Sequence, residues 1–128
     1  VMKKNEKNIL VVDDMTSIRK FIRGTLEDYN YNVFEASNGE EGIKVFEKYG
    51  DIDLIITDIY MPIKSGLELV VDLKEKHKNL KTIVLSDGGK NNFSNELGVV
   101  EALGATYFMK KDFIKDKLIG LVKDILNE

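Results

Sequence analysis

The sequence predicts an α/β protein, a parallel sheet covered by helices on both faces. Short β-branched runs alternate five times with longer stretches whose apolar residues recur at helical spacing. Two of those runs, at 9–12 and 53–58, are apolar almost without interruption, as strands buried on both faces must be. At 128 residues the chain can bury a core without a covalent staple, and it has no cysteine to make one.

Each element follows from local pattern. Residues 9–12 form a short apolar run ending at Asp13. Ile18, Phe21, Ile22 and Leu26 then repeat at helical spacing, with Thr16 or Ser17 as the expected N-cap. Asn30, Tyr31 and Asn32 break the chain before a second strand at 33–36. The stretch 40–49 reads as a helix with Ile43 and Phe46 inward, closed by Gly50. Residues 53–58 are the clearest strand, followed by a loop holding the only proline, Pro62, and Gly66. A third helix is expected over 67–77, with Leu67, Val70 and Val71 on one face. Residues 82–86 make a fourth strand, 87–92 a polar loop, and 94–103 a fourth helix weakened by Gly98. Residues 107–109 form the fifth strand. Ile114, Leu118, Leu121, Val122 and Ile125 then stripe a final helix over 113–126. The five strand–helix units span about 8–126, so the expectation is one domain over residues 1–128.

Composition narrows the function. Hydrophobic residues at 43% and charged residues at 32% exclude a disordered chain. No uncharged apolar run reaches the ~18 residues of a membrane span. The first eight residues carry no apolar signal core, so a cytoplasmic location is expected. A net charge of −3 with interspersed signs argues against direct nucleic-acid binding. Val1 before Met2 reads as a cloning remnant.

In open α/β sheets, ligands bind beyond the carboxyl ends of the strands. There this sequence places Asp13 and Asp14, Asp58, Ser86, and Lys110 and Lys111. Clustered carboxylates repel one another unless a cation intervenes. An oxygen-only ligand set without histidine or cysteine selects a hard ion, Mg²⁺ before Zn²⁺. A lysine and a hydroxyl beside such an ion would receive a phosphoryl dianion, and a carboxylate can act as nucleophile. The combination reads as phosphoryl transfer to an aspartate.

These residues resemble the receiver domains of two-component response regulators, over about 8–126. Ile9, Leu10, Val11, Val12, Asp13 and Asp14 look like that family's first strand and acidic pair. The segment 58–69, with Asp58, Pro62 and Gly66, is similar to its phosphoacceptor segment. Residues 104–113 look like its last strand and lysine, the spacing from Phe113 selecting Lys111 over Lys110. The resemblance implies a flavodoxin-like (βα)5 fold with strand order 2-1-3-4-5. It further implies that Asp58 accepts a phosphoryl group from a histidine kinase or histidine phosphotransfer protein. Asp14 would ligate Mg²⁺ (or Mn²⁺) directly and Asp13 mainly through water, with Asp58 and the Tyr60 carbonyl completing the set. Lys111 would pair with a phosphoryl oxygen, and Ser86 and Phe108 would act as a coupled switch. The fourth helix, fifth strand and fifth helix would face a downstream protein, the chain being a monomer or a weak, phosphorylation-dependent dimer. It would be no enzyme beyond its own phosphorylation and dephosphorylation.

Two departures stand out: Asp112 follows Lys111 where the family usually has proline, and Asp87 follows Ser86 where a small residue is usual. A trans Lys111–Asp112 bond is expected, since a non-proline cis bond costs about 2.5–4 kcal/mol. His77, the only histidine, lies among lysines and reads as solvent-facing. The chain ends at Glu128, just past the last helix, so a receiver without an output module is expected, either stand-alone or a piece of a longer regulator. Three alternatives compete. An aspartyl-phosphate hydrolase would want an Asp-x-Asp motif on the first strand, and a flavin carrier a hydroxyl- and glycine-rich loop there. Asp13, Asp14, Met15 and Thr16 supply neither. A phosphorylation-poor receiver acting as an interaction module is opposed by the complete acidic set.

Overall fold

The computed structural model describes residues 7–87 and 107–127. Five parallel strands, β1 (Asn8–Val12), β2 (Asn32–Ala36), β3 (Leu54–Asp58), β4 (Lys81–Ser86) and β5 (Tyr107–Lys110), lie in the order β2-β1-β3-β4-β5. Helices α1 (Thr16–Asp28), α2 (Gly39–Tyr49) and α3 (Gly66–Lys76) connect the early strands, and a C-terminal helix (Ile114–Leu126) closes the chain. The expected fourth helix at 94–103, and most of the polar loop before it, lie outside the described residues.

Alternate side chains of each strand point to opposite faces, and the sequence fills both with apolar groups. Ile9, Val11, Leu54, Ile56, Ile83 and Leu85 pack with Ile22 and Leu26 of α1 and with Ile114, Leu118, Val122 and Ile125 of the C-terminal helix. On the other face Leu10, Val12 and Ile55 meet Phe46 of α2 and Leu69 and Leu73 of α3, with Ile43 partly buried beside them. β1 and β3 are thus covered on both sides, as their unbroken apolar runs require.

Helix boundaries refine the sequence expectations. The α1 N-cap is Met15, and no side chain caps the helix. Thr16 and Ser17 cannot serve because the turn begins earlier: the Asp13 carboxylate takes the Met15 N–H at 2.8 Å, and the Met15 carbonyl accepts the Arg19 N–H. Asn38 caps α2 through the Glu41 N–H, and Gly50 ends it with φ 71°, a conformation glycine adopts without strain. Ser65 and Glu68 form a reciprocal capping box on α3.

The inward face of α3 differs from expectation. Leu69, Val70 and Leu73 are buried, whereas Leu67 and Val71 are only half-buried. The run 67–73 is apolar enough to offer two stripes, and Gly66 selects between them. A Cβ at Gly66 would lie 1.8 Å from the Asp58 carbonyl oxygen, so the helix start is pressed against the end of β3 and its rotation is set there. His77 lies exposed at the C-cap of α3, its ring 4.9 Å from that of Phe46. Among the described residues no helix is long and apolar enough to cross a membrane.

Candidate functional site

The parallel register brings the strand ends together. Val12 pairs with Thr57, Asp58 with Leu85, and Ser86 with Lys110, so the residues just past β1, β3, β4 and β5 surround one depression. Asp13 is fully buried at the end of β1, and Asp14 beside it is exposed. Asp58 and Ser86 are buried at the ends of β3 and β4. Lys111 opens a single 3₁₀ turn, Lys111–Phe113, directly after β5. Its bond to Asp112 is trans, as every described peptide bond is.

Carboxylate oxygens of Asp13, Asp14 and Asp58 come within 4.8 Å of one another. The Lys111 Nζ stands 3.3 Å from Asp58 Oδ2, 3.4 Å from Asp13 Oδ2 and 3.6 Å from Asp87 Oδ1. One ammonium thus faces three carboxylates, two of them buried, and Asp14 adds a fourth negative charge beside them. Burial, then the charge of Asp13, pushes the Asp58 carboxyl up to about 6 against the pull of Lys111. Burial also raises Asp13, only partly offset by the Met15 N–H and by Lys111. For Lys111 burial acts downward, but Asp58, Asp13 and Asp87 outweigh it and hold the ammonium above its ordinary range.

Asp13 Oδ2 is buried and, although at ion-pair distance from Lys111, makes no hydrogen bond. A buried carboxylate oxygen is ordinarily satisfied. Together with two further hard oxygen donors and surplus negative charge, it fits a divalent cation. Residues 9–123 match the family described as the response regulator receiver domain.

The chain belongs to that family. The receiver is 32% identical to the chemotaxis protein CheY of Halobacterium salinarum, over 94% of this chain and 97% of that protein. It is 34% identical to the CAI-1 autoinducer sensor kinase/phosphatase CqsS of Vibrio cholerae over 93% of this chain, but spans only 17% of that longer protein. Among solved structures, the response regulator TrrA of Thermotoga maritima, in complex with Mg²⁺ and BeF, superposes with a TM-score of 0.80. That match has 37% identity, over 93% of this chain and 98% of that one.

All the residues expected at the site lie among the described ones. Asp13, Asp14, Asp58 and Lys111 converge directly. Tyr60 lies two residues beyond Asp58 with an exposed side chain. Phe108 is half-buried on β5, where it pairs with Val84, and packs, with Leu67, against Ile59, Val70 and Val84. Lys110 stays in the strand as the partner of Ser86, and its neighbour Lys111 enters the acidic cluster.

Of the groups that hold these residues, the sequence pointed to Gly66 but not to Thr57, Gly39 or Arg19. Thr57 donates its hydroxyl to the Asp58 carbonyl at 2.9 Å, and the Gly66 N–H donates to Ile59. Gly39 at the start of α2 donates to the Lys64 carbonyl at 2.9 Å, and a Cβ there would meet that oxygen at 2.7 Å. Arg19 reaches back from α1 to the Asp13 carbonyl. The signal available for these was weak: a glycine opening a helix, and an arginine one turn into another.

Proposed function

We propose that the receiver is a phosphoacceptor switch in which Asp58 takes a phosphoryl group from a histidine kinase or histidine phosphotransfer protein. The observation that carries this reading is the Asp58 carboxylate, buried at a strand end, with Lys111 Nζ at 3.3 Å and a second carboxylate, Asp13, on the same ammonium. A carboxylate oxygen of Asp58 would attack phosphorus as the P–N bond to the partner histidine breaks and its electron pair returns to the imidazole nitrogen. With its carboxyl raised to about 6, Asp58 is ionised and nucleophilic near neutral pH. Lys111 would exchange its present carboxylate contacts for a phosphoryl oxygen, and the Ser86 hydroxyl would donate to another. Asp13, Asp14, Asp58 and the Tyr60 carbonyl would hold Mg²⁺ (or Mn²⁺), which when bound supplies charge neutralisation to an approaching dianion.

Phe108 pairs across the sheet with Val84, two residues before Ser86, so movement of Ser86 would be transmitted to its ring and to the face around β5 and the C-terminal helix. That face would engage a downstream protein, as a monomer or a weak phosphorylation-dependent dimer. Residues 8–126 would act as the one receiver unit, working in the cytoplasm and catalysing only their own phosphorylation and dephosphorylation. One observation favours a second reading, a slowly phosphorylated interaction module: the Asp87 carboxylate stands 3.6 Å from Lys111 where an incoming dianion would compete with it. Incubation with a small-molecule phosphodonor and Mg²⁺, followed by intact-mass measurement, tests the proposal. A one-phosphoryl mass increment in the wild type and none in Asp58→Asn is expected. The same increment in Asp58→Asn would overturn the assignment.

A further inference from the structure

We infer that Arg19 is a positioning residue for the acidic pair, an inference that rests on the metal-site reading of Asp13 and Asp14. Arg19 lies in the first turn of α1, with its side chain only 14% exposed. Its guanidinium is forked between two acceptors: NH1 donates to the Asp13 carbonyl oxygen at 2.8 Å, and Nε donates to Glu35 Oε1 at 2.8 Å. Glu35 stands on β2 next to Ala36, whose carbonyl accepts the Asp13 N–H at 3.1 Å. Strand β2 therefore holds Asp13 from both sides, directly at its N–H and through Arg19 at its carbonyl. The side chain is tied as well, Oδ1 accepting from Met15 N–H, which leaves Oδ2 for the pocket.

The Asp13 carbonyl belongs to the peptide plane whose other end is the Asp14 nitrogen and Cα, and that plane turns as one body. Fixing the carbonyl therefore fixes where the Asp14 side chain leaves the backbone. Arg19 suits the task because its planar fork serves two acceptors at set angles, which a lysine ammonium does not do. Glu35 is in turn paired with Arg23 NH1 at 2.6 Å and with Lys20 Nζ at 2.8 Å, so either of these cations can be lost and Glu35 still keeps the other beside Arg19. Without Arg19 the carbonyl loses a donor and is free to rotate toward water, and the Asp14 carboxylate rotates with it.

Charge and positioning would change the metal affinity in opposite directions. Removing a cation near a cation site should tighten metal binding by Coulomb's law. Removing a group that orients a ligand should weaken it, typically ~10–100-fold for groups that orient metal ligands. Arg23 is the matched control, because it pairs with the same Glu35 but makes no bond to Asp13. The experiment is calorimetric titration of the metal-free protein with Mg²⁺ alone, for wild type, Arg19→Ala and Arg23→Ala, with unfolding curves for each. We expect Arg19→Ala to bind Mg²⁺ at least about tenfold more weakly, with Arg23→Ala unchanged or tighter. Should Arg19→Ala fail to fold, Arg19→Lys, which keeps the charge but not the fork, is expected to weaken binding in the same direction. Undiminished binding in the Arg19 variant, or equal weakening in both, would overturn the inference while leaving the metal site standing. Absence of Mg²⁺ binding by the wild type would remove the metal-site reading and this inference with it.

Discussion

Replacing Asp58 by Asn should stabilise the metal-free fold, because the acidic pocket is assembled against its own repulsion. Burial and the charge of Asp13 raise the Asp58 carboxyl from its ordinary 3.8 to about 6, and this net rise already contains the attraction of Lys111. A shift of that size corresponds to about 3 kcal/mol, since each pKa unit is worth ~1.4 kcal/mol. The sign follows from proton linkage. Between pH ~4 and ~6 the folded state binds the Asp58 proton more tightly than the unfolded state, so wild-type stability falls as pH rises through that window. Below it both states are protonated and the penalty vanishes; above it the penalty is complete. Asn keeps the shape without the charge. Its advantage should therefore be absent near pH 4, grow to about 3 kcal/mol by pH 7, and reach ~10 °C in melting temperature for a domain of this size. Urea unfolding at several pH values in chelator, repeated in Mg²⁺, reads it directly. A wild-type protein bound at a hundred times its Kd gains about 2.7 kcal/mol, so saturating Mg²⁺ should nearly close the gap. An Asn variant no more stable than wild type at pH 7, or an advantage equally large at pH 4, would refute the account of the pocket as a frustrated charge cluster.

Other outcomes follow from the same geometry. Mg²⁺ should raise the melting temperature of the wild type, and Asp14→Ala should abolish that shift; a persisting shift in thermal scans would place the metal elsewhere. Asp87→Ala should accelerate labelling by a small phosphodonor, because it removes a carboxylate competing for Lys111, and equal or slower labelling by mass would show that Asp87 does not oppose the reaction. Glu35 is opposed by burial but held down to about 2 by Lys20, Arg23 and Arg19, so its contribution is complete above its ordinary 4.5 and is lost as pH falls from there toward 2. Glu35→Gln should accordingly lose up to about 3 kcal/mol near neutral pH and little at or below pH 2, as unfolding curves would show. Ile63 is exposed with φ 72°, a backbone region that disfavours β-branched residues, so Ile63→Gly should raise stability by about 1 kcal/mol in chemical denaturation.

The sequence by itself determined the elements and their order. Side-chain period distinguishes a strand from a helix within a dozen residues, and it marked β1 and β3 as central because their runs are apolar almost without interruption. It also determined which residues end the strands, and with a parallel sheet that alone collects Asp13, Asp58, Ser86 and Lys111 along one edge. What period could not show is how an apolar run with two possible stripes turns. In α3 the choice of Leu69 and Leu73 over Leu67 and Val71 was made by the contact of Gly66 with the Asp58 carbonyl, a backbone on another element. The same holds for the N-cap of α1, displaced by a carboxylate two residues upstream of Met15, and for Lys111, expected to pair with a phosphoryl oxygen and found against the carboxylates of Asp13, Asp58 and Asp87. The Arg19 fork joins α1, the end of β1 and β2, which share no local sequence pattern. Local pattern is set by bonded neighbours and their sterics, whereas distances of 3 to 4 Å between groups on different strands depend on register, helix rotation and loop path, and these are settled only when the whole chain packs.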